Sequence, residues 1–195
     1  MALEIAPLPA SELAQYATVP ISFLATHRVR VTVGSVPSPD VPEPLSTPFM
    51  KDYDGLPGMS PVEWRSRFRL SDWGIFVARQ DGIVVGGAAV APSTEVGIAD
   101  ATLSTAAVLW DLRVAPMHRG QHVGTFLFHA AEAWAADHGH TTMTAESQDI
   151  NVAACRFYQA MGCSLVTYES GAYPELPDEA RLIWRRDLKV DRLAG

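Results

Sequence analysis

APMHRGQHVGTFLF, residues 115 to 128, is the stretch on which the reading of this chain turns. Before it lies an apolar run, AAVLWDLRV, that ends at Val114; after it, apolar residues recur at Val123, Leu127, Ala130, Ala131 and Trp134. The first pattern predicts a strand over Ala106 to Val114, and the second an amphipathic helix over Val123 to His138. Arg119, Gly120 and Gly124 therefore fall where extended chain gives way to helix. A helix start leaves backbone N–H groups without intrahelical acceptors and carries the positive end of the helix dipole, so it accepts phosphate groups. The two glycines let the backbone approach an oxyanion closely, and Arg119 adds a permanent, bidentate positive charge. The stretch reads as a diphosphate cradle, with a glycine turn and a solvated arginine as the plainer alternative.

Working outward, WGIFVARQDGIVVGGAAVAP reads as a hairpin turning at Asp81 and Gly82. TTMTAES reads as a short strand, Asn151 to Met161 as a second amphipathic helix closed by Gly162, and CSLVTYES and ARLIWRRDL as two terminal strands. Towards the N-terminus, PASELAQYA suggests a short helix capped by Ser11, and ISFLATHRVRVTV a strand. SPVEWRSRFRL has Ser60 at an N-cap position with proline next, a good helix start. Between these, residues 34 to 49 contain five prolines, which remove amide donors and fix φ, so the segment is expected to be a loop. The order is mixed α+β with two strand-helix units in the second half.

The whole chain has 195 residues, enough for one domain over 1–195, with its core expected at about 73–187. No apolar run approaches the roughly 20 residues needed to span a bilayer, and the N-terminus lacks a basic start followed by an apolar core. A cytoplasmic protein with no membrane partner is expected, its two cysteines, Cys155 and Cys163, being small buried apolar residues rather than a disulfide pair. A formal charge of -7 argues against nucleic acid as a partner, because that binding is driven by basic side chains at phosphates. His118, His122, His129, His138 and His140 crowd together in sequence, but no Cys or His spacing matches a zinc pattern, so no metal is expected.

The cradle is followed some thirty residues later by Asn151, Ala154, Phe157 and Tyr158 in NVAACRFYQAMGC. Arg119, Gly120, Gln121, His122, Val123 and Gly124 together with that second motif resemble the GNAT superfamily of acyl-CoA-dependent N-acetyltransferases, over about Trp73 to Leu165. The resemblance implies a mixed, mostly antiparallel central sheet flanked by helices, with a splay between two parallel strands. It implies acetyl-CoA as cosubstrate: the pantetheine arm along Leu112, Arg113 and Val114, the diphosphate on amides from Arg119 to Thr125, and Asn151 on the arm. Tyr158 matches the position that protonates the departing thiolate, a task suited to a phenol of pKa about 10 facing a thiol of about 8.5. Its plainer role is that of a core aromatic.

One position departs from the family pattern, which expects glycine where His122 stands. Histidine is among the better tolerated residues at positive φ, and it can also cap the helix or touch a phosphate. Asp111 and Glu146 are the carboxylates such a fold brings near the acyl group, Glu146 for substrate contact and Asp111 as base or orienting group; either can instead pair with an arginine. Tyr173, Glu179, Leu182 and Trp184 near the C-terminus are similar to the branch containing streptothricin acetyltransferases, which implies a small-molecule amine acceptor and leaves room for a homodimer. The competing expectation is a GNAT-shaped, CoA-binding regulatory module without turnover.

Overall fold

The computed structural model describes residues 2–34, 36–96 and 105–188. In chain order they form β1 (Leu3–Pro7), α1 (Leu13–Tyr16), β2 (Phe23–Arg28), β3 (Val31–Thr32), β4 (Ser38–Pro39), β5 (Glu43–Lys51) and α2 (Trp64–Arg67). There follow β6 (Gly74–Gln80), β7 (Ile83–Pro92), β8 (Ala107–Val114), α3 (Val123–Asp137), β9 (Thr142–Gln148), α4 (Val152–Ala160), β10 (Ser164–Ser170) and β11 (Ala180–Asp187). The chain packs as two compact units, neither of them continuous in sequence.

The first unit, residues 1–22, 52–143 and 188–195, carries the strand order β1-β6-β7-β8, antiparallel at every step. The β6–β7 turn is made by Asp81 at φ 51 and Gly82 at φ 81, the two positive values that a tight hairpin of this hand requires. Gly86 and Gly87 follow each other on β7, so they point to opposite faces. A Cβ on Gly86 would lie 2.9 Å from Leu127 and 3.0 Å from Val123, which is how closely α3 is seated on that face. On the other face a Cβ on Gly87 would lie 2.3 Å from the ring of Tyr16. There Tyr16, Trp64, Trp73, Ile75, Val77, Ala89 and Ala91 form a buried cluster, the Tyr16 and Trp64 rings meeting edge to face at 5.5 Å. Fully burying each large side chain of this kind contributes about 2 kcal/mol.

The second unit, residues 23–51 and 144–187, has the strand order β9-β11-β10 and two small ribbons, β2–β5 and β3–β4. β10 and β11 pair antiparallel, Leu165 opposite Trp184 and Tyr168 opposite Leu182. α4 starts at Asn151, whose Oδ1 accepts from the Ala154 N–H at 3.1 Å, and is closed by Gly162 at φ 73, as its sequence predicts. Neither Cys155 nor Cys163 is in a disulfide; Cys155 is buried, and burial pushes its thiol up to about 11.

Two expectations need correction, and a third is met in a shorter form. Residues 34 to 49 are not simply a loop: β5 pairs antiparallel with β2 over Phe23 to Arg28, with a bulge near Ala25. A two-stranded ribbon leaves each strand one edge without a partner, and the fixed φ of proline is close to extended, so Pro44 and Pro48 fit where a central strand would reject them. Ser11 caps nothing; Pro9 holds the N-cap position of a 3₁₀ turn, Ala10–Glu12, that runs into α1. Ser60 does stand at the N-cap ahead of Pro61, but its side chain makes no cap bond, and the segment gives one 3₁₀ turn and the four-residue α2.

Candidate active site

β8 ends at Val114, a 3₁₀ turn spans Pro116–His118, and α3 begins at Val123. Between them Gly120 sits at φ 74 and His122 at φ 61, ψ 5, both left-handed. The first backbone bond of the helix runs from the Phe126 N–H to the His122 carbonyl at 3.1 Å. Among the described residues, the backbone N–H groups from Gly120 to Thr125 have no partner within the protein. Left-handed residues alternating with others turn successive amides to one side, the concave arrangement that binds anions. Nothing lies within 4 Å of where a Gly120 Cβ would stand, so the glycine serves its φ rather than close packing.

His122, where the resemblance expects glycine, thus takes a left-handed conformation, at a cost of about 1 kcal/mol for a residue with a Cβ. It does not cap α3 through its side chain. Arg119 folds back on its own loop: Nε donates to the Val114 carbonyl at 3.0 Å and Nη2 to the Ser22 carbonyl at 3.1 Å. Gln121 ties Nε2 to the Met117 carbonyl at 2.9 Å. Two side chains thereby brace the loop and leave its amides open. Val123 is buried, so only its backbone can serve a ligand; Gly124 and Thr125 are half-buried.

On β8 the alternation puts Asp111 and Arg113 inward and leaves Leu112 and Val114 half-buried, with a bulge at Trp110 opposite Ala89 and Val90. Asp111 Oδ1 accepts from the Tyr16 hydroxyl at 2.6 Å and from Arg113 Nε at 2.9 Å, and Oδ2 accepts from Arg113 Nη2 at 2.7 Å. Arg113 also grips both Asp54 oxygens, at 2.8 and 3.0 Å, and donates to the Val19 carbonyl at 3.0 Å. Burial opposes the Arg113 charge, but Asp111 and Asp54 outweigh it and hold its pKa above the ordinary arginine value. Burial, then the charge of Asp111, pushes the Tyr16 phenol well up. This is the arginine-pairing alternative for Asp111: three protein donors occupy its buried carboxylate. The Arg113 guanidinium is likewise taken up by Asp111, Asp54 and the Val19 carbonyl, so that residue offers a ligand its backbone.

In the second unit, Glu146 on β9 is exposed, and its Oε1 accepts from the Tyr173 hydroxyl at 2.7 Å. Tyr173 in turn accepts from Gln148 Nε2 at 2.9 Å. Tyr158 on α4 is buried, its ring 5.6 Å from Phe157 and 6.0 Å from Trp184. Asn151 Oδ1 accepts from the Ala154 N–H at the cap of α4. Lys51 and Glu179 form a buried ion pair at 2.7 Å. Three of the first-unit histidines have partners, His129 on Glu132, His138 on the Trp134 carbonyl and His140 on the Thr105 carbonyl. Among the described residues no group of three or more His, Cys, Asp or Glu is arranged to hold a metal.

Tyr16, Asp54, Gln148 and Lys51 escape a sequence reading. Tyr16 and Asp111 are 95 positions apart, and no local period links them. The one usable signal is chemical: a charged pair two apart on a strand otherwise patterned for burial, Asp111 and Arg113, demands partners from elsewhere.

The sequence profile of the acetyltransferase (GNAT) family matches residues 44–163. Streptothricin acetyltransferase A of Bacillus subtilis (strain 168) is 32% identical over 80 residues, 40% of this chain and 46% of that protein, so the match spans less than half of the relative's length. A protein described as a streptothricin acetyltransferase from Bacillus anthracis str. Ames, solved with acetyl coenzyme A, superposes with a TM-score of 0.77 at 20% identity, covering 96% of this chain and 100% of that one. A nourseothricin acetyltransferase superposes with a TM-score of 0.73 at 22% identity, covering 97% and 100%. Likeness at such identities is likeness of fold, and the fold is the mixed, mostly antiparallel α+β one. The profile takes in both the open-amide loop and the α4 motif, and the chain belongs to the acetyltransferase (GNAT) family, whose acetyl donor is acetyl-CoA.

Proposed function

We propose that this chain is an N-acetyltransferase that moves acetyl from acetyl-CoA to an amine of a small cationic molecule, with streptothricin as the first acceptor to try. The observation that carries the reading is the run of open amides from Gly120 to Thr125 on a chain of this family. They suit the diphosphate, with the Arg119 charge beside them, while the backbone of Leu112 and Val114 suits the pantetheine arm, to which the family resemblance also assigns Asn151. Arg113 serves there through its backbone alone. The amine attacks the thioester carbonyl in its neutral form; a C–N bond forms, the C–S bond breaks, the Tyr158 hydroxyl gives its proton to the leaving thiolate, and the proton shed by the acylated nitrogen passes to water, from which the phenolate regains one. Glu146 receives a positive group of the acceptor. Asp111, bound by Tyr16 and Arg113, orients β8 rather than taking the proton of the amine.

The reading of a regulatory module without turnover rests on His122 in a glycine position. That His122 takes the left-handed conformation in place of glycine leaves it without that ground. Calorimetry with acetyl-CoA, followed by free-thiol release across a panel of amines, tests the proposal. Binding with no thiol released from any amine supports the module, and absence of binding removes both. Tyr158→Phe is expected to lower kcat about 100-fold, the usual worth of a placed general acid, at unchanged acetyl-CoA affinity.

A further inference from the structure

Glu146 and Gln148 stand two apart on β9, so both side chains project from one face of the strand. The hydroxyl of Tyr173, which comes from the segment between β10 and β11, lies between them. A phenol has one proton to give. Gln148 can only donate through its Nε2, so the proton of Tyr173 goes to Glu146 Oε1. Burial, then the charge of Glu146, raises the Tyr173 pKa, and the group stays a donor through the whole working range.

The segment that brings Tyr173 is fastened along its length. The Leu176 N–H donates to the Tyr173 carbonyl at 2.9 Å and the Glu179 N–H to the Leu176 carbonyl at 3.0 Å. Arg28 Nη2 holds the Asp178 carbonyl at 2.7 Å, and Lys51 Nζ holds both Glu179 oxygens, at 2.7 and 2.8 Å. Tyr173 is therefore a fixed post. Glu146 itself is exposed, with Oε2 taking no hydrogen bond from the described residues. The neighbouring cation, Arg181, is hydrogen-bonded to Glu169 rather than to Glu146, although its charge interacts with both carboxylates.

An exposed glutamate normally sheds rotamer freedom when it grips a ligand. Here one oxygen is already anchored and the other is bare, which is the state of a carboxylate arranged to accept a cation. We infer that Tyr173 and Gln148 are positioning residues that hold Glu146 as the receptor for an ammonium or guanidinium group of the acceptor, the contact being made by Oε2. That the bound cation is the acceptor of an acetyl group rests on the reading above; that Glu146 is a braced cation receptor does not.

The experiment pairs two readouts on the whole chain with CoA or acetyl-CoA present: calorimetric titration with streptothricin and spermidine, and thiol release with the same amines. Glu146→Gln and Tyr173→Phe are expected to weaken polycation binding about tenfold each, and Gln148→Leu about threefold, with acetyl-CoA affinity unchanged. In turnover, Tyr173→Phe is expected to raise KM for the amine about tenfold with kcat within twofold, a split that a general loss of fold does not produce. Wild-type protein that binds neither polycation overturns the inference, and so does a Tyr173→Phe variant that binds them as wild type does. Wild-type protein that binds them through Glu146 but releases no thiol keeps the receptor and defeats the acetyl-transfer reading.

Discussion

Asp111 and Glu146, each on a strand of a different unit, both give an oxygen to a tyrosine hydroxyl, yet their surroundings make opposite uses of them. Asp111 is buried and shared among Tyr16 and two nitrogens of Arg113, inside a network that extends to Asp54. Glu146 is exposed, anchored at one oxygen and open at the other. A buried carboxylate must have its charge matched within the protein, because desolvation otherwise exceeds what the fold can supply. An exposed one is spared that demand and can keep an oxygen for a ligand. What a carboxylate near a family motif does is thus decided by its burial and partners, not by its place in the chain.

Removing one partner from each site is the strongest way to break the comparison. Asp111→Ala leaves the buried Arg113 with only Asp54 for its charge, and is expected to destabilise the protein by about 3–5 kcal/mol, read as a large fall in Tm. Glu146→Gln, on the exposed side, should leave Tm within a degree or two; equal losses from the two changes would dissolve the distinction. Gly87→Ala attacks the same network indirectly, since its Cβ would meet the Tyr16 ring and push the hydroxyl off Asp111. About 1–3 kcal/mol of overpacking is expected, measured by denaturant titration.

Asp149 sharpens the point at the smallest scale. It is buried, its Oδ1 accepts from the Ala180 N–H at 3.0 Å, and Arg28 stands 3.7 Å from Oδ2. Burial raises its pKa despite that hydrogen bond and the arginine. A folded pKa above the unfolded one means that the protonated form is favoured by folding: the contribution is full below pH of about 3.9 and is lost as pH rises through the folded value. Asp149→Asn keeps the acceptor for Ala180 and drops the charge. It is expected to be more stable than wild type at pH 7, by under about 1 kcal/mol, with the difference vanishing near pH 4 in thermal melts.

The open-amide loop was legible because its signals are local. A strand ending at Val114, glycines at 120 and 124 and an apolar stripe from Val123 all lie within one span of chain, and backbone physics at a helix start needs no distant partner. Asn151 and Gly162 mark both ends of α4 for the same reason. Residues 43–51 were not legible as a strand, because their prolines argue against one unless the strand is known to sit at an edge, and edges are a property of the sheet.

By itself, then, the sequence determined the hairpin at Asp81 and Gly82, the two long helices, the open-amide junction before α3 and the family to which that junction belongs. Only the tertiary structure decided that Asp111 is locked to Tyr16 and Arg113, that Glu146 is braced by Tyr173 and Gln148, and that His122 takes a glycine-like conformation. The division has a physical cause. Periodicity, caps and turns are set within a few residues by φ/ψ sterics and hydrogen-bond reach, whereas burial and charge pairing depend on which distant segments the packed core brings alongside.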